Sequence, residues 1–577
     1  MKRLYFIILL ILLQCQYLYS QKIEWYNLFL NNNNESSIRQ TYIDENNNLY
    51  ISGGLRGEIN FNIKGGVETK IPKNDNLQHF IAKWNGKREL QWANLISPNY
   101  YTQDASMQSN NLVKDINNNI YLKGATGVNV EFYNKDTLIN TYGDIYICKH
   151  NTKGERIWQK TYGKNFVSYL KIVTNNSNNL VFSGNIKDSY SYKTIEDRQN
   201  EHLFARYQDF SFVTSMDTNG NFIWIKPFHS PASVIFDFTL DTSNNIYTIG
   251  LFKDTLYPNP NDTKYYITSD ISGNFNTFII KLNEKGEYQW CKKLDASFEG
   301  KIEFDKENGL IISSCFNGSF DIDPSSSNEV RLNSKEKNRF DEFIAKFDLE
   351  GNYLWHKQLY KTRRYDYYNT RNQLSIDSFI ILAGNFDEEI RLKENSPFIF
   401  KSDGISIPYI AMFDKNGDII SSIILKTKGK RSGTQHVFQN KDGIFWGGYV
   451  TGDTDFDPTM KENVKKVFNH PAGFIIKLSF NSYNENEIDN GITSNSNIKE
   501  KNKIHFSFYP NPFKNSIKFA MECKNMKITL FNSLGQIVYC EENQKNKEID
   551  LGFLPKGFYY IQTENENFKQ VSKIEKE

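Results

Sequence analysis

The residues of this 577-residue chain whose types and spacing could do chemistry are, first, its paired carboxylates. Two D-x-D-P strings occur, Asp321-Ile322-Asp323-Pro324 and Asp455-Phe456-Asp457-Pro458. On a strand, alternation puts both carboxylates of a pair on one face. Two like charges so placed either face water or share a cation, which makes Asp321, Asp323, Asp455 and Asp457 the candidate metal ligands. The proline supplies a plainer account, as the end of an edge strand. Three further strings, starting at Asp44, Asp115 and Asp414, echo the first three ligand positions of a calcium loop. Calcium takes about six to eight oxygens, and the EF-hand adds a bidentate Glu at its twelfth position. That position is Leu55 after Asp44 and Thr126 after Asp115. Asn and Gly are also what a hairpin turn requires at positive φ. The strings therefore read as turns, and the expectation is no cofactor, with calcium the one left open.

A second set is cationic: Lys83, Lys149, Lys281, Lys346 and Lys477, and then Lys160, Lys226, Lys292 and Lys357, each of these four two residues after a Trp. A lysine array suits an acidic polysaccharide. The net charge of only +2 offers no field for a polyanion, which argues against nucleic acid. The expectation is that each stem lies along a sheet while its ammonium reaches solvent. Histidines number eight, and no H-E-x-x-H, G-x-S-x-G or glycine-rich phosphate cradle occurs. No catalytic residue is assigned, although two carboxylates from distant segments can meet in space to cleave a glycoside. Six cysteines, one near the N-terminus at Cys15, leave five beyond it, which is no disulfide framework. Cys148 reads as a small buried hydrophobe, and Cys291 with Cys315 and Cys523 with Cys540 are the pairs open to oxidation.

The elements that must position these groups are repeats. Trp158, Trp224, Trp290 and Trp355 each follow a glycine by four residues, and with Trp25, Trp92 and Ser421 they form six intervals of 65 to 67 residues. Each period also carries an Asn-rich turn running into a short apolar strand, as in NNNLYISG (46–53) and SNNIYTIG (243–250), and a strand of the type FIAKW (80–84) or FIIKL (278–282). The marks predict a strand, a hairpin, a strand, a Gly turn and a Trp strand per unit, all β. Such small sheets bury too little alone and must stack. The seventh copy stops at Phe474–Leu478 without its Trp strand, while KIEWYNLFL (22–30) begins the chain with an orphan one. The expectation is an all-β fold, a seven-bladed β-propeller over 21–480 whose last blade is completed by residues 22–30, hiding both edges. A register-bound Trp reads as packing. Trp84, Trp446 and the Tyr-rich segments 189–210 and 360–370 break register and read as better ligand candidates.

The chain opens with Lys2 and Arg3 before an apolar run, Leu4 to Leu13, and a Ser20-Gln21 junction. This predicts a signal peptide at 1–20, too short for a membrane span. Residues 481–503 are polar and Asn-rich, a flexible linker. The tail, 504–577, alternates in short strands and predicts a small β-sandwich.

The repeat strings YISG, FIAK, D-x-x-G-N and W-x-K resemble the SBBP-type β-propeller repeat of secreted bacterial proteins, over about residues 22–480. The tail resembles the type A C-terminal sorting domain of type IX secretion cargo in Bacteroidetes. The matching residues are Tyr509, Pro510, Asn511 and Pro512, then Gly535 in the turn 532–536, then Leu554, Pro555, Gly557 and Tyr559, with Lys569 and Lys573 near the end. The resemblance implies export by the signal peptide, handling by the type IX machinery, and a place outside the cell or on its outer surface.

Together these predict a non-catalytic propeller that binds an extracellular glycan, peptide or protein, with no nucleic-acid partner and no integral membrane span. A polysaccharide-degrading enzyme with its site in the central funnel is the alternative, and a structural envelope or biofilm protein the third reading.

Overall fold

The computed structural model describes residues 19–482 and 508–576 apart from several stretches, the longest being 63–77, 99–110, 188–208, 363–372 and 457–463. Residues 1–18 of the expected leader, most of the expected linker, and Asp457, Pro510, Asn511, Pro512, Cys523 and Gly535 lie outside the described residues, as do most of the two Tyr-rich segments. The described chain is all β, with no helix among its elements. It divides into two compact units, one of Lys22–Ile419 and Ile423–Ser479, the other made mainly of Phe480–Glu577.

The larger unit is a propeller-like succession of antiparallel sheets, each built around four strands in sequence order. In the first these are Ser36–Ile43, Leu49–Leu55, Gln78–Trp84 and Leu90–Pro98. The last has three consecutive strands, Gly433–Asn440, Gly443–Val450 and Ala472–Ser482, and takes its fourth from the opposite end of the chain, Tyr19–Phe29. Lys477 meets Glu24 at 2.7 Å across that junction. Phe29 is buried and packs edge-on against Trp84 of the first sheet. The innermost strands follow one another in a cycle: Ser36–Ile43 touches both Asn111–Lys114 of the second sheet and Gly433–Asn440 of the last. Apolar clusters lie between consecutive sheets, for example Tyr121 and Ile147 of the second against Phe182 and Phe212 of the third. Burial therefore depends on stacking, as the size of one sheet requires.

Two kinds of turn recur, each closed by its own side chains. In the inner hairpins Asp44, Asp115 and Asp241 accept two backbone amides at Oδ1 and an Asn Nδ2 and a Tyr hydroxyl at Oδ2. Asn47, Asn118 and Asn244 supply the positive φ, about 60°, which Asn tolerates. Asp414, in an outer turn, likewise accepts the amides of Asn416 and Asp418. The calcium-like strings are thus self-capping turns.

The outer turns place a positive-φ glycine beneath the Trp of the preceding sheet. A Cβ on Gly154, Gly286, Gly351 or Gly417 would stand 2.5 to 2.8 Å from Trp92, Trp224, Trp290 or Trp355. The Trp92, Trp158 and Trp290 indoles donate to Thr152, Thr218 and Leu349 carbonyls in those turns. Here the lysines depart from expectation. Lys83, Lys149 and Lys281 donate to the same three carbonyls at 3.1 to 3.3 Å while lying over Tyr50, Tyr121 and Tyr247. Their ammoniums latch one sheet to the next, because the turn presents a carbonyl within reach and the tyrosine face attracts the charge. Trp84 and Trp446 also differ from expectation. Both are fully buried, donating to the Phe61 carbonyl and to Thr434 Oγ1. They belong to the core.

Between its second and third strands a sheet sends out a short hairpin that reaches the preceding sheet's outer strand. Val130–Phe132 pairs with Leu90–Pro98, and Glu389–Arg391 with Tyr353–Thr362. Single bridges, His229 to Tyr257 and Thr427 to Thr454, make the same connection elsewhere.

Candidate functional site: the polar register of the inner strands, a tyrosine notch and the C-terminal unit

Of the three described D-x-D-P carboxylates, Asp321 and Asp323 belong to the fifth sheet's hairpin and Asp455 to that of the last. Asp321 ends a strand of the fifth sheet's hairpin, so alternation stops there and Asp323 lies in irregular chain beyond it. Asp321 Oδ1 accepts the amides of Asp323 and Val330, and Asp323 Oδ1 that of Ser325. Asp455 is buried in the last sheet's hairpin, its amide donating to Lys426. For Asp321 and Asp323 the expected common strand face is absent, because that strand is three residues long and ends at Asp321. Cys148, Cys291, Cys315 and Cys540 are free thiols. Cys148 is buried, bonds the Leu122 carbonyl, and is pushed up to about 12 by burial. Cys291 and Cys315 fall in different sheets.

What converges instead is a register on the innermost strands. Four positions before the inner turn every sheet carries a polar residue: Gln40, Asn111, Lys171, Asp237, Lys301, Gln373 and His436. Three of them accept a backbone amide from the next sheet: Gln40 from Leu112 at 2.6 Å, Asp237 from Ile302 at 3.2 Å, and His436 Nδ1 from Thr41 at 3.3 Å. The last bond spans the junction between the ends of the cycle and leaves the neutral His436 proton on Nε2.

Charge gathers on one side of this register. Lys171 lies 2.5 Å from Glu303 and 3.5 Å from Asp237, with Lys301 3.8 Å from Asp237. Burial disfavours the Lys171 cation, but the Asp237 and Glu303 charges outweigh it and hold its pKa above the ordinary value. Burial raises Glu303, against Lys171 and with Asp237. Burial, then Lys301 and Lys171, bring His436 down to about 3. The group is a carboxylate pair bridged by an ammonium, beside a neutral imidazole. The sequence reading missed it because its seven residues share polarity and no identity.

A second feature stands at the outer edge of the third and fourth sheets. Tyr265 and Tyr266 are 45% and 55% exposed. Their rings lie 5.6 Å from Tyr288 and 5.9 Å from Tyr257, respectively. Tyr288 also lines a cavity of about 160 Å³, with Lys226, Pro258, Asn259, Leu282, Gly286 and Glu287. The off-register doublet in YPNPNDTKYY was the one signal in the sequence.

In the smaller unit two sheets share a core. Phe508–Tyr509, Ser516–Phe519 and Glu548–Asp550 form one; Ile537–Gln544, Met526–Asn532, Gly557–Asn565 and Phe568–Lys576 form the other. Ile517, Ile528, Leu530, Ile549, Leu554, Tyr559, Ile561 and Ile574 fill the space between. Tyr559 donates its hydroxyl to the Pro555 carbonyl at 2.7 Å, fixing the turn that ends at Gly557, whose φ is 148°. Tyr509 pairs with Lys518, and Lys569 and Lys573 lie on the last strand, opposite Glu564 and Tyr560.

No match is found among curated proteins. Among solved structures, virginiamycin B lyase from Staphylococcus aureus is 10% identical with a TM-score of 0.33, covering 79% of this chain and 99% of that one. A quinohemoprotein alcohol dehydrogenase from Pseudomonas putida is 8% identical at 0.35, over 86% and 80%. A DUF4221 family member from Bacteroides vulgatus is 11% identical at 0.27, over 81% and 100%. Residues 507–577 match the family model of the secretion system C-terminal sorting domain. The chain thus carries a type IX sorting domain, which implies handling by that secretion system and a place at the cell surface or beyond it.

Proposed function

We propose that this is a secreted or surface-held binding protein. In this reading residues 21–480 form a seven-bladed β-propeller closed by the N-terminal strand, which holds an extracellular glycan, peptide or protein without transforming it. A signal peptide at 1–20, a linker at 481–503 and a β-sandwich sorting domain at 504–577 serve its export. The observation that supports binding over chemistry is the use made of the inner charges. Lys171 and Lys301 ion-pair with the Asp237 and Glu303 carboxylates, and three of the register's acceptors, on Gln40, Asp237 and His436, are occupied by backbone amides. An acid and a base poised for catalysis need different protonation states and an open path to substrate.

Asp237 and Glu303 also favour a second reading. They are two carboxylates brought together by different sheets, as glycoside hydrolysis demands. Arrays of printed polysaccharides, glycans and peptides probed with the labelled chain separate the two. Retained label over intact substrate supports binding. Loss of substrate that disappears in Glu303→Gln supports the enzyme, and silence on every spot supports a structural envelope role.

A further inference from the structure

We infer that the outer face of the four-stranded sheet in the smaller unit is the surface on which the export machinery reads the sorting domain. Its centre is the cross-strand row of Ile537, Phe531 and Tyr560. Its occupant is a protein of the type IX system that brings apolar side chains to this row and carboxylates to the lysines beside it. The domain's family implies handling by that system but not which face is read, and the inference is independent of what the larger unit binds.

Register fixes the face. Ile528, Leu530, Ile561 and Ile574 are buried in the core between the two sheets, so the residues alternating with them lie on the other side. There Phe531 pairs with Ile537 in one direction and with Tyr560 in the other, and Tyr560 pairs with Lys573. Two rows away Lys527 pairs with Glu564, and Glu564 with Lys569. A sheet with one solvated face alternates apolar inside and polar outside. The Lys527 row obeys that rule and the Phe531 row breaks it. Ile537 is 56% exposed, and Phe531 and Tyr560 are half-buried. Directly opposed neighbours stand about 5 Å apart, so the three form one continuous strip.

The second observation is how the residues of the sorting motif are divided. Leu554 and Tyr559 are buried in the core, and Tyr559 also holds the Pro555 carbonyl. They make the fold. Register puts Lys569 and Lys573 on the outer face instead, Lys573 at the end of the apolar row. A signal is recognised from outside, so its outward members mark the side that is read.

The size of the face selects the kind of partner. Four strands about 4.8 Å apart and about seven residues long give a face of roughly 14 by 24 Å. That is well short of the ~800 Å² a side of a stable complex and suits a transient one. A signal that must be released needs such a contact, whereas a permanent dimer with a second copy needs more.

The test is export of the full chain from a host with a type IX system, read as the ratio of extracellular and surface-held protein to periplasmic protein. Ile537→Asp and Tyr560→Asp set a charge in the row. Phe553→Asp is the control, because Phe553 is 63% exposed in the same unit but lies beside Tyr539, whose register partner Leu530 faces the core. Each purified variant is checked for an unchanged melt, which the exposure of Ile537 favours. We expect Ile537→Asp and Tyr560→Asp to lower the ratio by at least about tenfold, the scale of losing a central contact. Lys573→Glu should lower it less, and Phe553→Asp should leave it unchanged. Parental export of Ile537→Asp would overturn the face. A photo-crosslinking amino acid in place of Ile537 should join the chain to a component of the secretion system, and joining to a second copy or to the larger unit would overturn it as well. Deleting residues 504–577 keeps the two readings apart. Export without them would remove the sorting reading and this inference with it, whereas lost export of the deletion beside parental export of Ile537→Asp faults the face alone.

Discussion

Lys346 donates to Asp305 Oδ2 at 2.8 Å, an ion pair whose carboxylate is fully buried, and it takes the place that an asparagine and a tyrosine fill in other sheets. Four and six residues after Asp44 stand Asn48 and Tyr50; after Asp305 stand Gly309 and Ile311. The missing donors are replaced by Lys346 and, from the next sheet's outer turn, Lys415 at 2.7 Å. Gly309 makes the room, because a Cβ there would lie 2.5 Å from Lys346 Cε. Desolvation would raise the Asp305 carboxyl, but the two ammoniums outweigh it and keep it below its ordinary value.

Lys346→Met should therefore cost about 3 kcal/mol, the scale for breaking a buried pair. Adding Gly309→Asn and Ile311→Tyr should recover part of that loss by restoring the turn's usual donors. Urea unfolding of the three proteins checks this, and no recovery in the triple variant would mean that the substitution logic between sheets is wrong.

Gly286→Ala and Gly318→Ala separate packing from backbone strain. Both glycines have positive φ, +74° and +85°, so each Ala bears about 1–2 kcal/mol of left-handed strain. Only Gly286 has Trp224 within 2.8 Å of the new Cβ, and Gly318 has nothing within 4 Å. The Gly286 variant should melt clearly lower, and equal melts would remove the Trp latch from the account of stability.

Deleting residues 22–29 should expose the edge of Ala472–Ser482, uncover Phe445 and Phe456 where Trp25 and Tyr26 lay, and empty the place of Phe29 against Phe61. Phe29→Ala alone should cost about 3–5 kcal/mol. A deletion that melts like the parent would argue against closure by this strand.

Acid should destabilise the larger unit well before its carboxylates titrate. Burial first of all, with Arg156 at His150 and Lys301 and Lys171 at His436, lowers His150 and His229 to about 4 and His436 to about 3. The unfolded chain takes up these protons near its ordinary value of 6.5, and the folded chain only near 3 to 4. Their contribution is thus whole above pH 6.5 and is lost as pH falls below it. Urea midpoints should drop steadily between pH 6.5 and 4. His436→Gln, which can still accept from Thr41, should flatten that slope, and an unchanged slope would show that His436 is not coupled to folding.

Much of the fold was legible because identity repeats: a Trp over each turn glycine, an Asp or Asn opening each turn, and one Trp strand too many at the start and too few at the end. Arg88 shows the limit. It holds the positive φ (64°) that glycine has elsewhere, and lays its guanidinium 5.3 Å from Trp25, so the rule survives at a position where its letter does not. The inner register was illegible for that reason, since Gln, Asn, Lys, Asp and His interchange where only polarity is required. The lysine latches were misread because nothing local in a strand tells whether an ammonium ends in water or on the next sheet's carbonyl. The short hairpins, two or three residues per strand, carry no alternation to read.

Pairing Tyr19–Phe29 with Ala472–Ser482 sets an order of events. The Gly473 amide that bonds Ser36 Oγ is 437 positions away from it. Bringing such distant segments together costs little in free energy, since closure grows only with the logarithm of length, but it comes late in time. Until Ala472–Ser482 is made, Tyr19–Phe29 lacks the mate it has in the fold, and the sheets beside it keep open edges. A neighbouring copy can supply the missing strand during that interval, so the same feature that seals the ring is the one through which two incomplete chains would exchange segments.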